Sequence, residues 1–381
     1  MQTYLLIYAC AIAALGIYAL LTTIFNLRFF RRMASVPRQK DEPLISVVIP
    51  ARNEEENLDN LLSSICAQSY RNIEILVIDD QSSDRTGEII KEYEERDGRV
   101  RGFRTDAGLR LNQNGKINAL LQVIGHAKGE YILATDADTI HEKDCIRHAY
   151  SIMHGNGLDI ISGFPTELCP SFMGAINMSA MMFTGIFIPH YLVYKFHVSA
   201  ASFAIGQFIM MRRDAYEETG GYSNIEGSIC DDVGIVRLFV KNHKRYAFIS
   251  ICDYVKCNMY GSSKDSFRGI ERSIAGVFPP KLSSLPPVAI LIALLMHMAL
   301  APLMAILFGI VLGPQMPVAL MLAGWLVLCL AWLIACRKSN WSWGVSLCFS
   351  LTLIMVSAMY IHGLCVELFG KGFEWKGRRV K

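Results

Sequence analysis

Asp136 and Asp138 are the residues whose type and spacing point most directly to chemistry. They sit two apart in YILATDADT, immediately after the apolar run Tyr131 to Ala134. Such a run reads as a buried strand, which does not carry two carboxylates unless they lie at its end and face a cation or strong donors. Spaced i, i+2 there, both can approach one hard cation, with the oxygen ligands that Mg²⁺ or Mn²⁺ prefers. A diphosphate would then complete the shell. Taken alone, the triplet also fits a solvated turn, since Asp is a common turn residue.

Two further polar clusters follow apolar runs in the same way. Pro50-Ala51-Arg52-Asn53 comes after ISVVI (Ile45–Ile49), and Asp79-Asp80 closes Ile73–Ile78. Between these runs, apolar residues recur at helical spacing, as in Leu58, Leu61, Leu62, Ile65 and again in Ile117, Leu120, Leu121, Ile124. Asp84 can cap a helix carrying Ile89, Ile90 and Tyr93, and Val100–Phe103 reads as a short strand. Strand and helix in alternation predict an α/β domain with a mostly parallel sheet and helices on both faces. Ligands of such sheets bind outside the carboxyl ends of the strands, where all three clusters fall. Further along, Asp231-Asp232 opens a helix with Val236, Phe239 and Val240 on one side. The pair suits a helix N-terminus electrostatically, and it also offers a base.

SVVIPARNEEENL, ILVIDDQSSDRT, GKINAL and ATDADT, in this order and spacing, resemble the inverting family 2 glycosyltransferases of GT-A fold over roughly residues 44–260. The resemblance implies a nucleotide-sugar site, with Asp80 at the base and Pro50, Ala51, Arg52 and Asn53 beneath it. It places Lys116 near the phosphates or ribose, and Asp136 and Asp138 at ribose and metal. Gly206-Gln207-Phe208, Met211-Arg212-Arg213-Asp214 and Gly220-Gly221-Tyr222 resemble the family's acceptor-side segment. Cys230-Asp231-Asp232-Val233-Gly234 matches its Glu-Asp pair with Asp231 in place of Glu, which implies Asp232 as the general base. The Gln-x-x-Arg-Trp block of processive members is reduced to Gly269-Ile270-Glu271-Arg272-Ser273. That departure argues against a polysaccharide-elongating synthase, while Arg272 remains a candidate diphosphate contact.

Hydrophobic residues make up 52% of the 381 and charged residues only 19%, partitioned sharply along the chain. Thr3–Phe25 is uncharged and long enough to span a bilayer; Arg28, Arg31, Arg32, Arg38 and Lys40 then place the following domain in the cytoplasm. Leu285–Gly313, Pro317–Ala335 and Trp343–Gly370 are three more candidate spans. The stretch 172–196, rich in Met and aromatics, is expected as an interfacial helix in preference to plain core. The net charge of +3 and the lack of a basic stripe exclude a nucleic-acid partner, and eleven cysteines without a CxxC pair suit a reducing compartment.

The expected order is an anchor at 1–26, a basic linker at 27–43, a cytosolic GT-A domain at 44–284, spans within 285–370 and a basic tail at 371–381. Glu374-Trp375-Lys376-Gly377-Arg378 resembles the ends of bacterial carotenoid and hopanoid-associated glycosyltransferases, which implies an isoprenoid-type lipid acceptor. The expected activity is metal-dependent transfer of a hexose from a UDP-sugar to a membrane lipid, in a multi-pass protein of the cell membrane. A polysaccharide synthase and an inactive membrane scaffold are the competing readings.

Overall fold

The computed structural model describes residues 2–109, 111–112, 114–225, 230–277, 285–313, 315–369, 373–375 and 378–380. The chain opens with α1 (Gln2–Ala34), β1 (Ile45–Ala51), α2 (Leu58–Cys66), β2 (Ile73–Asp79), α3 (Thr86–Arg96) and β3 (Val100–Arg104). It continues through α4 (Gly115–Ile124), β4 (Tyr131–Ala134), β5 (Thr139–His141), α5 (Cys145–Asn156), β6 (Ile160–Phe164) and β7 (Thr166–Glu167). Then come α6 (Phe172–Met178), α7 (Met182–Phe187), α8 (His190–Phe196), β8 (Ile209–Arg212), α9 (Arg213–Thr219) and α10 (Asp231–Lys241). The remainder is β9 (Tyr246–Ser250), β10 (Val255–Cys257), α11 (Ser263–Val277), α12 (Leu285–Leu312), α13 (Met316–Lys338), α14 (Trp343–Ser346), α15 (Phe349–Phe369), β11 (Phe373–Trp375) and β12 (Arg378–Val380). Positions 376 and 377, which figure in the C-terminal motif above, and Gly370, the expected end of the last span, lie outside the described residues.

Packing divides the chain into two units. An α/β unit takes in Phe29–Leu168, His190–Met259 and the tail from Glu374, and a helical unit takes in residues up to Arg28, Cys169–Pro189 and Tyr260–Phe373.

In the α/β unit the apolar runs pair as a seven-stranded sheet in the order β3-β2-β1-β4-β8-β6-β9. Ile45, Val47, Val48 and Ile49 of the central β1 are fully buried, as a strand covered on both faces requires. β1 runs parallel to β2, ending Ala51 against Asp79, and parallel to β4, with Val48 against Ala134. The three polar clusters therefore share one edge of the sheet. The expectation of a mostly parallel sheet holds with one exception, β8, which runs antiparallel to both β4 and β6. Ile209 pairs with Ala134, so this reversal brings Gly206 and Gln207 to the edge at which β4 ends. A smaller sheet, β5-β10-β7, lies after that edge in the chain path and continues from the Asp136–Asp138 loop.

In the helical unit α12, α13, α15 and α1 are long and apolar enough to cross a membrane. α1 runs on through Arg28, Arg31 and Arg32, so the first part of the expected basic linker is helical. Thr3 and Leu6 line a cleft with Gln315, Met316 and Pro317, and further along Ala13 and Gly16 meet Gly324 and Val327. α1 and α13 are thus parallel. Their contact depends on two glycines, because a Cβ at Gly16 would stand 2.5 Å from the Gly324 carbonyl oxygen and one at Gly324 would stand 2.6 Å from Ala13 Cα.

Two sequence expectations are corrected here. Residues 172–196 are not one helix but α6, a 3₁₀ turn, α7 and α8, with Ile188 extended before Pro189, which lacks the N–H a continuing helix needs. In the helical unit, the Phe183 ring lies 5.1 Å from that of Trp332, and Asn26 donates to the carbonyls of Gly185 (2.9 Å) and Ile188 (2.8 Å). Trp343–Gly370 likewise breaks, into the single turn α14 and the span α15, with Ser342 capping α14 through the Val345 N–H.

Gly324→Leu should destabilise the protein by about 1–3 kcal/mol, since backbone and not a flexible side chain occupies the space. Gly309→Leu, whose Cβ meets only Val318 at 3.7 Å, is the control expected to be near neutral. Thermal unfolding in detergent compares the two, and equal melting temperatures would remove the glycine contact as a cause.

Candidate active site

The site begins with α4. Asn114 caps this helix by accepting from the backbone N–H groups of Lys116 (3.0 Å) and Ile117 (3.4 Å), which fixes Lys116 in the first turn. Its ammonium stands 2.6 Å from Asp136 Oδ1, in the loop after β4, and 3.0 Å from Asp231 Oδ2, at the start of α10. Burial works against the charge on Lys116, but Asp136 and Asp231 outweigh it and hold the amine well above its ordinary range. Lys116 is therefore a permanent cation joining two segments nearly a hundred residues apart in sequence.

Asp232 is held differently from its neighbour. Its Oδ2 accepts the Gly206 N–H at 3.1 Å, and its Oδ1 accepts the Val233 N–H at 2.7 Å. Burial, then the charge of Asp231, push its carboxyl up to about 7, with Lys116 pulling the other way. Consecutive helical residues diverge by roughly 100°, so Asp231 faces Lys116 while Asp232 faces the β8 segment. Gly206 allows this crowding, because a Cβ there would sit 3.1 Å from Lys116 Nζ and 3.6 Å from Asp232 Cβ.

The second polar patch lies at the ends of β1, β2 and β3. Arg52 donates to the Asp80 carbonyl at 2.6 Å and stands 3.8 Å from its carboxylate, which also accepts from Thr105 Oγ1 at 3.1 Å. Ala51 is buried and accepts the Asp80 N–H at 2.8 Å, so the first two clusters are locked together by backbone. Asn53 adopts φ 50°, a left-handed conformation that Asn tolerates, and its side chain accepts from the Ser83 N–H at 2.9 Å.

The donor set at Asp136 and Asp138 suits a hard divalent cation. Both offer carboxylate oxygens, and among the described residues no third His, Cys, Asp or Glu closes a protein-only cage around them. That is how Mg²⁺ is commonly held, by one or two carboxylates with phosphate and water supplying the rest. Of the residues singled out in sequence, Pro50 to Asn53 and Asp80 form one patch, and Lys116, Asp136, Asp231 and Asp232 another. Asp138 lies in the same loop as Asp136 but is hydrogen-bonded to Cys257, at 3.5 Å. Arg272 is on α11 of the helical unit, beside Glu271, which pairs with His362 at 2.5 Å. Sequence reasoning did not find Cys257 or Glu167, which short strands bring beneath the loop from far along the chain.

Lys116→Met should leave Asp136, Asp231 and Asp232 facing one another uncompensated. A loss of about 3–5 kcal/mol is expected, the scale for breaking a buried pair. Added Mn²⁺ should restore more melting temperature in this variant than in the wild type. A variant as stable as wild type would show that the lysine does not hold the carboxylates together.

Comparison with known proteins agrees with this geometry. Residues 46–220 match the profile of Glycosyl transferase family 2. Glycosyltransferase GlyG of Streptococcus pneumoniae is 36% identical over 120 residues, which is 32% of this chain and 38% of that protein. The poly-beta-1,6-N-acetyl-D-glucosamine synthase of Staphylococcus aureus is 32% identical over 123 residues, 32% of this chain and 28% of the synthase. The match thus spans well under half the length of these curated relatives. Among solved structures, a mannosyltransferase from Pyrobaculum calidifontis in complex with GDP-Man and Mn2+ aligns with TM-score 0.53 at 18% identity, covering 94% of this chain and 99% of that one. At that identity the likeness speaks for the fold. Residues 46–220, a little under half of the chain, are thus similar to glycosyl transferase family 2, and the fold is the GT-A fold, with apolar helices long enough to span a membrane.

Proposed function

We propose that this chain is an inverting hexosyltransferase that moves a hexose from a nucleotide sugar, UDP-linked, to a hydroxyl or carboxyl group on a membrane lipid. The observation that carries the reading is the meeting of Lys116, Asp136, Asp231, Asp232 and Gly206 at the carboxyl edge of the sheet. Asp232 takes the proton from the acceptor hydroxyl as its oxygen attacks the anomeric carbon on the face opposite the diphosphate. The new C–O bond forms while the bond to the nucleoside diphosphate breaks. A carboxyl raised to about 7 is well matched to that task at neutral pH. Asp231 orients Lys116, whose charge lies beside the loop where the diphosphate departs. Asp136 and Asp138 would hold Mg²⁺ or Mn²⁺, which supplies charge neutralisation for the leaving group. Asp80, Arg52 and the Pro50–Asn53 turn would cradle the base.

The membrane assignment follows from α1 and α13. The two helices run parallel, with Arg28 in the C-terminal part of α1 and Arg337 and Lys338 at the end of α13, so these basic residues share one side of the helical unit. Positive charge beside apolar spans favours the cytoplasmic side, and nucleotide sugars are cytosolic donors. Phe172, 51% exposed at the start of α6, keeps the 172–187 segment a candidate for contact with the lipid acceptor. The reduced Gln-x-x-Arg-Trp block favours a lipid over a growing polysaccharide.

Mass spectrometry of lipid extracts from cells carrying the intact gene or Asp232→Asn should show a hexosylated lipid in the first only. Unchanged lipids together with a polymer dependent on the gene would overturn the acceptor assignment. In the purified enzyme Asp232→Asn should lower kcat by roughly 10²–10⁴-fold with little change in donor affinity, and Asp231→Asn should be milder.

The pH profile provides a separate check. The base is active only when ionised, so kcat/KM should fall about tenfold per pH unit below about 7 and level off above it. The residual activity of Asp232→Asn should lack that acid limb. A limb that survives the substitution belongs to another group.

A further inference from the structure

Beneath the Asp136–Asp138 loop, the small sheet carries a buried row of side chains. Cys257 of β10 pairs with Thr139 of β5 on one side and with Glu167 of β7 on the other, so all three share a face. Thr139 Oγ1 donates to the Asp136 carbonyl at 2.8 Å, and Cys257 Sγ donates to Asp138 Oδ1 at 3.5 Å. Gln207, wholly buried, donates its amide to Cys257 Sγ at 2.8 Å, and the Asn258 N–H meets the Asp138 carbonyl at 2.9 Å. Both aspartates are thus gripped from below, one through its backbone and one through backbone and carboxylate.

Glu167 is the member whose charge this arrangement leaves uncompensated. It is 9% exposed, its polar neighbours are the Gln207 amide and the Cys257 thiol, and the charged groups acting on it are the two aspartates of the loop above. Burial pushes the Glu167 carboxyl up to about 8, with the charges of Asp138 and Asp136 adding to the effect. A buried carboxylate beside two like charges is costly unless some state of the protein compensates it. A divalent cation in the loop above would be such a compensating charge, since a bound ion is the largest local charge in its site.

We propose that Glu167 and Cys257 are positioning residues of the cation-binding loop. Cys257 fixes the rotamer of Asp138, and Glu167 is a buried carboxyl whose ionised form a divalent ion held by Asp136 and Asp138 would stabilise. The inference rests on the reading of those two aspartates as the cation-holding pair. It makes cation binding depend on residues that never touch the ion.

Mn²⁺ binding to the purified full-length protein, followed by electron paramagnetic resonance, tests this together with melting temperatures taken with and without Mn²⁺. Glu167→Gln should melt no lower than wild type without metal, lose most of the rise that Mn²⁺ produces, and bind Mn²⁺ about 10–100-fold more weakly, the usual scale for groups behind metal ligands. Glu167→Asp should recover part of the affinity. Cys257→Ala should weaken binding, and Cys257→Ser, which keeps a donor, should restore it. Wild-type affinity in Glu167→Gln, with or without a lower melting temperature, overturns the proposal by leaving Glu167 a structural residue. If Glu167→Gln does not fold, unaltered affinity in Glu167→Asp and Cys257→Ala overturns it equally. No Mn²⁺ binding by wild type, or undiminished binding by Asp138→Asn, overturns the cation reading itself and this inference with it.

Discussion

The Lys116 ammonium, shared between Asp136 and Asp231, is the interaction on which the rest of the α/β unit's chemistry depends. Three carboxylates from two distant segments cannot approach one another at a low-dielectric sheet edge without a cation among them. Lys116 supplies it from the first turn of α4, whose position the Asn114 cap fixes. With that charge in place, Asp231 is neutralised by contact and Asp232 is not. The same pair of adjacent aspartates therefore divides into a fixed counter-ion and a carboxyl with a raised affinity for protons.

The reversed direction of β8 has a comparable consequence. A parallel strand at that position would deliver its carboxyl end, the α9 side, to the ligand edge. Because β8 is antiparallel, its entry segment arrives there, and the backbone of Gly206 and Gln207 is presented to the site. Gly206 gives its N–H to Asp232, and Gln207 gives its carbonyl to Thr135 and its amide to Cys257. One irregularity in the sheet thus supplies both a partner for Asp232 and a support for the Asp136–Asp138 loop. Residues 165–208, which connect β6 to β8 through the helical unit, are the excursion that the reversal permits.

The helical unit is held together differently. Its long helices are apolar enough to span a membrane, and close backbone approach and a few internal hydrogen bonds specify how they associate. Gly16 against Gly324 provides the first. Asn26 donating to the α7 end, and Asn177 donating to the Ser263 carbonyl and Ser266 Oγ of α11, provide the second. These bonds tie α7 to α1 and α6 to α11, and the tilted ring contact of Phe183 with Trp332 ties α7 to α13.

Local sequence determined a good deal of this protein. The strand runs at 45–49, 73–78 and 131–134, the helices between them and the four spans are all readable from apolar periodicity, because each forms from neighbours in sequence. Asp136, Asp138 and Asp80 stood out because charge beside a buried run demands a reason, and Lys116 and Asp232 stood out through the resemblance to the family's motifs. What only the tertiary structure decided is which charges meet. Lys116 bridging Asp136 and Asp231 follows from strand order, and the break of 172–196 into short helices follows from packing that overrides an apolar pattern. Cys257 and Glu167 were invisible for the same reason. β5, β7 and β10 are only two or three residues each, too short to carry a periodic signal, and their pairing rests on contacts over as many as 118 residues, between Thr139 and Cys257.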